Sequence, residues 1–445
     1  MSIYRGIFVS SIIGISSIVS GCGSSSSSGS TITDSGGDTE LSDSYKDSKY
    51  GIIDYKRLTE YIDDWANSRP EGVDGKLIII QAGKSSSGKV LKSNGKDVFT
   101  YLIPAGGACN PSYMRFDGLS NIPGATLDGN GIDAMINKFH INPEKDFVLF
   151  AVGVGSTSVR DVVRSLWTLN YWGWSHNQIA MLNGSIDYGF SKFNGLDSYL
   201  VDNPSVAPES PSNYSVKSLK RDRTALHIYI DDMMKIASMD DKSGYFIADA
   251  RGTSEYEGLK RSKSGDKSCG VNRDEQCYSP YQGHIRGAVD FPYTELLVMD
   301  DQIDDVNGDG EINEADASFK FKSPIELEKI YSQKGYRDGD RVITYCRTGR
   351  KATLIAFTSN FILDYNVSMY DGSWIEWGEM ANREDVDGKT ILPEDSRWVT
   401  DNPKYSVNLG YTEPEYTQSA EPYEINSSAK DAQLIKLEDM AYLDL

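Results

Sequence analysis

The stretch Arg341-Val-Ile-Thr-Tyr345-Cys346-Arg347-Thr348-Gly349-Arg350-Lys351-Ala352 decides the reading. Its first five residues suit a buried strand, and Thr353 to Leu363 carries apolar residues at helical spacing. A loop that leaves a strand and opens a helix presents successive backbone N–H groups, and the helix start adds partial positive charge. The segment therefore reads as an anion cradle. Arg347, Arg350 and Lys351 flank a single cysteine. That field favours thiolate over thiol, so Cys346 is the candidate nucleophile. It would attack a sulfane sulfur or a phosphorus while the loop N–H groups hold the charge of the transferred group.

Outward from this loop, strands and helices alternate. Lys76 to Gln81, Asp146 to Val152 and Gln178 to Leu182 read as strands of a first half, with a helix from Val159 to Tyr171. Tyr245 to Asp249, Arg341 to Tyr345 and Val367 to Tyr370 repeat the order in a second half, with helices around Leu327–Tyr331 and Thr353–Leu363. Alternation of this kind predicts an α/β fold with a central, mainly parallel sheet in each half, flanked by helices. The halves also echo in detail: Asn121-Ile-Pro-Gly-Ala125 against His284-Ile-Arg-Gly-Ala288, and Leu182-Asn-Gly-Ser-Ile186 against Tyr370-Asp-Gly-Ser-Trp374. Duplication predicts two homologous domains, 51–200 and 222–385, joined by a Pro-, Ser- and Asn-containing linker at 201–221.

Four motifs in order, Asp249-Ala-Arg251 with Glu255-Tyr256, Gly283 to Pro292, the Cys346 loop and Tyr370 to Trp377, make the chain resemble tandem rhodanese-type sulfurtransferases over about Tyr55 to Met380. The resemblance implies two rhodanese-like domains and a Cys346 persulfide. Sulfane sulfur would pass from a small donor, such as thiosulfate or polysulfide, to a thiol or cyanide-like acceptor, with no organic cofactor. The loop from Cys346 to Lys351 is six residues long, as in the sulfur-transferring members; related phosphatases have a loop one residue longer, which disfavours phosphatase or arsenate reductase chemistry. Arg347, Thr348, Gly349, Arg350 and Lys351 would bind the donor, and Asp249 and Arg251 would support the loop or line its mouth. His284 reads as a structural hydrogen-bonder and Trp374 and Trp377 as packing. The first half places Ala151 where the second has Cys346, so it is expected to be inactive and to form one wall of the cleft.

The chain has 445 residues and a net charge of −20, from 45 Lys and Arg against 65 Asp and Glu. A polyanion would be repelled, so nucleic acid is not an expected partner. Four histidines, none at ligand spacing to another, leave no His-rich metal site. Residues 1–21 read as a signal segment ending in Val19-Ser20-Gly21-Cys22, which resembles a bacterial lipobox with Cys22 lipidated; 22–50 would be a Ser/Gly-rich tether. The implied address is the cell envelope, anchored to a lipid bilayer, with the outer membrane favoured. Export permits a disulfide, and Cys269 and Cys277 enclose a short polar run that one would staple.

Residues 305–316 match an EF-hand-type loop, with Asp305, Asn307, Asp309, Glu311 and Asp316 as candidate ligands of a structural Ca2+. The C-terminal extension, 386–445, is acidic and Tyr-rich. It reads as a strap ending in a helix from Ala429 to Met440, or else as a partner-binding tail. The rival to an enzyme is a non-catalytic accessory lipoprotein that docks to an envelope redox or electron-transfer complex.

Overall fold

The computed structural model describes residues 45, 51–105, 113–118, 121–155, 157–192, 195–204, 213–258, 281–299, 316–384, 407–408 and 432–444. All lie within one compact unit, Thr39–Leu445. In the first half, β1 is Ile52–Ile53, β2 Leu77–Ala82, β3 Val98–Ile103, β4 Phe147–Val152 and β5 Ile179–Ser185. In the second, β6 is His227–Ile228, β7 Tyr245–Asp249, β8 Ala288–Asp290, β9 Arg341–Tyr345 and β10 Val367–Tyr370. Two five-stranded sheets result, ordered β1-β5-β4-β2-β3 and β6-β10-β9-β7-β8. Each neighbouring pair is parallel. The two halves thus share one α/β topology.

Helices cover the faces: α1 Tyr55–Asp63, α2 Gly129–Lys138, α3 Thr157–Tyr171, α4 Ile230–Ser238, α5 Pro324–Gln333, α6 Ala352–Phe357, α7 Ser373–Glu384 and α8 Leu434–Tyr442. Their starts are encoded locally. The Asp54 side chain accepts from the Arg57 N–H at 2.7 Å ahead of α1, and Ser323 with Glu326 forms a capping box with proline at the start of α5. The helix expected from Thr353 to Leu363 is α6, which continues as a π-turn over Thr358–Ile362.

The period of two along each central strand sorts its side chains. Ile78, Ile80, Val148, Phe150 and Val152 face a core that also takes Phe246, Ala248, Val342 and Cys346 from the second sheet. Leu77, Ile79, Phe147, Leu149 and Ala151 face a separate cluster on the outer side of the first sheet, and Ile247, Ile343 and Tyr345 a third. The inner faces of both sheets therefore share one apolar interior, and α3 packs on α6 within it. This sharing is why the halves form one unit.

The segment expected as a linker is partly built in. Val216 is buried, and the Asn137 side chain of α2 exchanges hydrogen bonds with the backbone of Tyr214. A second bridge runs the other way: Phe319–Phe321 pairs with Leu297–Met299, and the Phe321 N–H donates to the Asn183 side chain of β5 at 2.9 Å. The C-terminal helix begins at Leu434, later than the Ala429 expected from sequence, because its described hydrogen-bonded turns start there.

One echo in sequence is not an echo in position. The 284–288 motif leads into β8, the edge strand of the second sheet. Its counterpart, Asn121–Ala125, pairs antiparallel with Tyr113–Phe116, and β3 occupies the edge of the first sheet instead.

Candidate active site

Cys346 follows the last residue of β9, at the carboxyl end of the central strand, where ligands of parallel sheets gather. It is buried, at 2% exposure, on the face shared with the first half. The Tyr370-to-Trp377 motif shapes the loop. The carbonyls of Cys346 and Arg347 accept from the N–H groups of Trp374 and Ile375 at 2.9 and 3.0 Å, satisfying donors that the first turn of α7 would otherwise orphan. The Ser373 hydroxyl faces the Cys346 N–H at 3.4 Å.

Gly349 has φ +80°, and a Cβ there would lie 2.9 Å from the Asp371 carboxylate and 3.3 Å from an Arg164 Nη. Both the turn and the close approach demand glycine. Thr348 abuts the first half, because its carbonyl would lie 3.3 Å from any Cβ at Gly124.

The loop cations are not left bare. Arg350 meets Asp161 of α3 at 2.9 Å. Burial pushes the Asp161 carboxyl above its ordinary range, against the pull of Arg350 and then Arg160. Lys351 lies 3.9 Å from Glu255 and over the Tyr293 ring. The half-buried Arg347 completes the set.

Asp249 and Arg251 sit below the loop and are fully interior, at 0% and 1% exposure. They pair with each other, Arg251 also donates to the Gly283 carbonyl, and its guanidinium stacks 4.5 Å over Trp374. This burial and mutual pairing accord with support of the loop, one of the two roles expected of them. His284 donates from Nδ1 to the Tyr256 carbonyl, 2.9 Å away, and stacks on the Tyr256 ring. Trp374 and Trp377 lie in the core of the second half.

The matching loop of the first half has no nucleophile. Met181 pairs with Phe150 as Met369 pairs with Thr344, and β5 and β10 meet β1 and β6 in the same register. Phe150 thus corresponds to Thr344 and Val152 to Cys346. The placement of Ala151 in that slot is corrected by one residue. The face agrees, since Val152 and Cys346 enter the shared core and Ala151 the outer cluster. The two alignments part at the start of the strand, where Phe147 and not Asp146 stands opposite the place of Arg341. By the same register Gln81 stands where Asp249 does, and its amide bonds the Gly83 carbonyl and the Leu91 N–H.

Three further groups escaped the sequence reading. Arg164 of α3 pairs with Asp371 at 2.7 Å, both 3% exposed, and also donates to the Gly124 carbonyl. Burial raises the Asp371 carboxyl, but Arg164, His227 and the Thr126 N–H together hold it below its usual range. His227 accepts from the Trp167 indole N–H at its Nε2, which puts its proton on Nδ1, 3.7 Å from Asp371. Arg115 pairs with Asp439 of α8, which also accepts from the Tyr171 hydroxyl. The signal was present: charges at helical spacing on the apolar stripe of α3 have no place in a core unless paired.

Cys22, Cys269, Cys277, Asp305, Asn307, Asp309 and Glu311 lie outside the described residues; Asp316 is described and buried. Among the described residues no group of side chains is arranged to hold a metal ion, and no helix is long and apolar enough to cross a membrane.

Residues 233–380 match the family model described as Rhodanese-like domain. The chain is 26% identical over 260 residues to a thiosulfate sulfurtransferase of Corynebacterium glutamicum, covering 57% of this chain and 70% of that one. It is 29% identical over 256 residues to a putative thiosulfate sulfurtransferase of Haloferax volcanii, covering 57% and 73%. The Tum1 protein of Saccharomyces cerevisiae aligns over 72% of this chain and 92% of its own, at 16% identity and a TM-score of 0.47.

Proposed function

We infer that this chain is a rhodanese-type sulfurtransferase whose second half carries sulfane sulfur on Cys346. The observation that supports it most is the pairing of one cysteine, at the carboxyl end of β9, with a loop that runs straight into α6. The Cys346 thiolate attacks the outer sulfur of a donor such as thiosulfate or a polysulfide. The sulfur–sulfur bond of the donor breaks, and sulfite or the shortened polysulfide leaves with the electron pair. The terminal sulfur of the resulting Cys346 persulfide is then attacked by a thiolate or cyanide-like acceptor, which releases the Cys346 thiolate. Loop N–H groups stabilise the anion in both steps.

The test is intact mass. Thiosulfate or polysulfide adds one sulfur to the protein, cyanide removes it, and Cys346→Ala takes up none. Absence of any gain with every sulfane donor, despite a free thiol at Cys346, would overturn the reading.

The reading extends to the address and the ion. Export and acylation at Cys22 would hold the enzyme on the cell envelope; radiolabelled fatty acid that stays off a Cys22→Ala chain supports this, and equal labelling refutes it. Ca2+ at 305–316 would act next to the strand Phe319–Phe321, which pairs with Leu297–Met299 and bonds Asn183 of the first half. A melting temperature unchanged by chelator would remove the ion from the account.

A further inference from the structure

The half without a nucleophile contributes more than a wall. Among the buried residues of helix α3 the charged ones are Asp161 and Arg164, spaced three residues apart and so on one face. Both side chains are nearly inaccessible, at 2% exposure each, and both meet the Cys346 loop or its immediate support. Asp161 holds Arg350 at 2.9 Å, inside the loop. Arg164 holds Asp371 at 2.7 Å, and Asp371 stands against Gly349, where a Cβ would be 2.9 Å from its oxygen. The same carboxylate accepts from the Thr126 N–H at 2.9 Å, and Arg164 donates to the Gly124 carbonyl at 2.9 Å. Gly124 in turn abuts the Thr348 carbonyl. Three consecutive loop residues, Thr348, Gly349 and Arg350, are thus registered by groups anchored in the first half.

We propose that Arg164, together with Asp161 one turn before it, is a positioning residue for the Cys346 loop, acting through Asp371 and Arg350. A guanidinium suits this task because its Nη2 donates to both the Asp371 carboxylate and the Gly124 carbonyl, while the rigid plane sets Nη1 against Met369 Sδ at 3.6 Å. Neither residue touches the reacting sulfur. The opposite signs at the two contacts are themselves a registration device: sliding α3 by one turn against the loop would bring Asp161 toward Asp371 and leave Arg350 and Arg164 without counter-charges. The proposal rests on the sulfur-transfer reading only for its kinetic readout.

The test uses the soluble chain with Arg164→Gln, Arg164→Lys and the double variant Arg164→Met/Asp371→Asn. Three quantities are read: the fraction of Cys346 titrated by iodoacetamide, its alkylation rate, and the kcat and KM for thiosulfate. The expectation for Arg164→Gln is full titration, a KM within about twofold and a kcat lowered by roughly tenfold or more, since misplacement acts on the transition state. Arg164→Lys recovers part of that loss, because an ammonium keeps the charge but not the rigid plane that aims it. A merely structural role would instead lower the titratable fraction and the melting temperature while leaving turnover per titrated thiol unchanged. Should Arg164→Gln fail to fold around an uncompensated Asp371, the double variant removes both charges; it is expected to fold and still lose kcat. Wild-type kcat per titrated thiol in either folded variant overturns the proposal. If the wild type transfers no sulfur, the functional reading fails separately, and the alkylation rate decides: at least a severalfold change in the folded variants supports positioning, and no change refutes it.

Discussion

Two loops at the carboxyl ends of equivalent strands, Cys346–Lys351 and Gly153–Gly155, stand in matching places with opposite chemistry. Beneath the first lies a buried ion pair, Asp249 with Arg251. Beneath the second lies Gln81, whose neutral amide satisfies the Gly83 carbonyl and the Leu91 N–H. The first loop needs glycine for a left-handed turn at Gly349. The second needs it for space, since a Cβ on Gly153 would lie 2.3 Å from the Lys84 carbonyl oxygen. The silent loop is therefore closed down on its own backbone, while the other is held open by charges supplied from elsewhere. The two loops thus differ in more than the cysteine: one is a cradle and the other is packing.

The largest effect should come from moving the nucleophile. Cys346→Ala is expected to lower sulfur transfer by at least about a thousandfold, and adding Val152→Cys should restore none of it, because the first loop has neither room nor cations. Recovery of a persulfide at position 152, read by peptide mass, would break the comparison. Next, Asp249→Asn leaves Arg251 buried without its counter-charge and should cost about 3–5 kcal/mol in urea unfolding. Gln81→Leu strands one donor and one acceptor, and should cost only about 1–3 kcal/mol. Equal losses would mean that the ion pair has no special place under the active loop.

Acid should act on the wall between the loops. Burial pushes His227 down to about 4, with Asp371 pulling it up and Arg164 and Arg115 pushing it further down. Between about pH 6.5 and 4 the unfolded chain therefore binds a proton that the folded one refuses, so stability is full above that window and falls as pH drops through it. His227→Gln should reduce the proton uptake on unfolding at pH 5 by about one per molecule, with about 3 kcal/mol at stake across the window for so buried a ring. Identical pH slopes would contradict the buried neutral assignment. Smallest, Gly349→Ala should cost about 1–3 kcal/mol through its left-handed φ and the Asp371 contact, measured by thermal melting.

Strand and helix order, the duplication and the Cys346 loop were legible because they rest on local period and local motif. Tyr245–Asp249, Arg341–Tyr345 and Val367–Tyr370 fall where the apolar runs predicted. What was not legible is what the fold adds between distant segments. The one-residue offset at Val152 comes from where pairing starts, since Phe147 and not Asp146 matches Arg341, and a run of apolar residues does not announce its register. The burial of Asp249 and Arg251 depends on Trp374 arriving above them from 123 positions further along the chain than Arg251. Asp161 and Arg164 looked like ordinary helix charges until α6 packed on α3.

The clasp of Arg115 with Asp439 joins residues 324 positions apart. A chain made from its first residue onward has both sheets, the Cys346 loop and α3 before α8 exists. The loop-closure entropy of that contact is repaid only once α8 docks. Gln433 then reaches Asp231 and Asp232 of the second half while Tyr442 reaches Asp133 of the first, so one short helix signs off on both. A chain cut short before Leu434 would carry Arg115 buried with no carboxylate to meet it. Removing α8 would therefore loosen both halves at once, through contacts that neither half makes for itself.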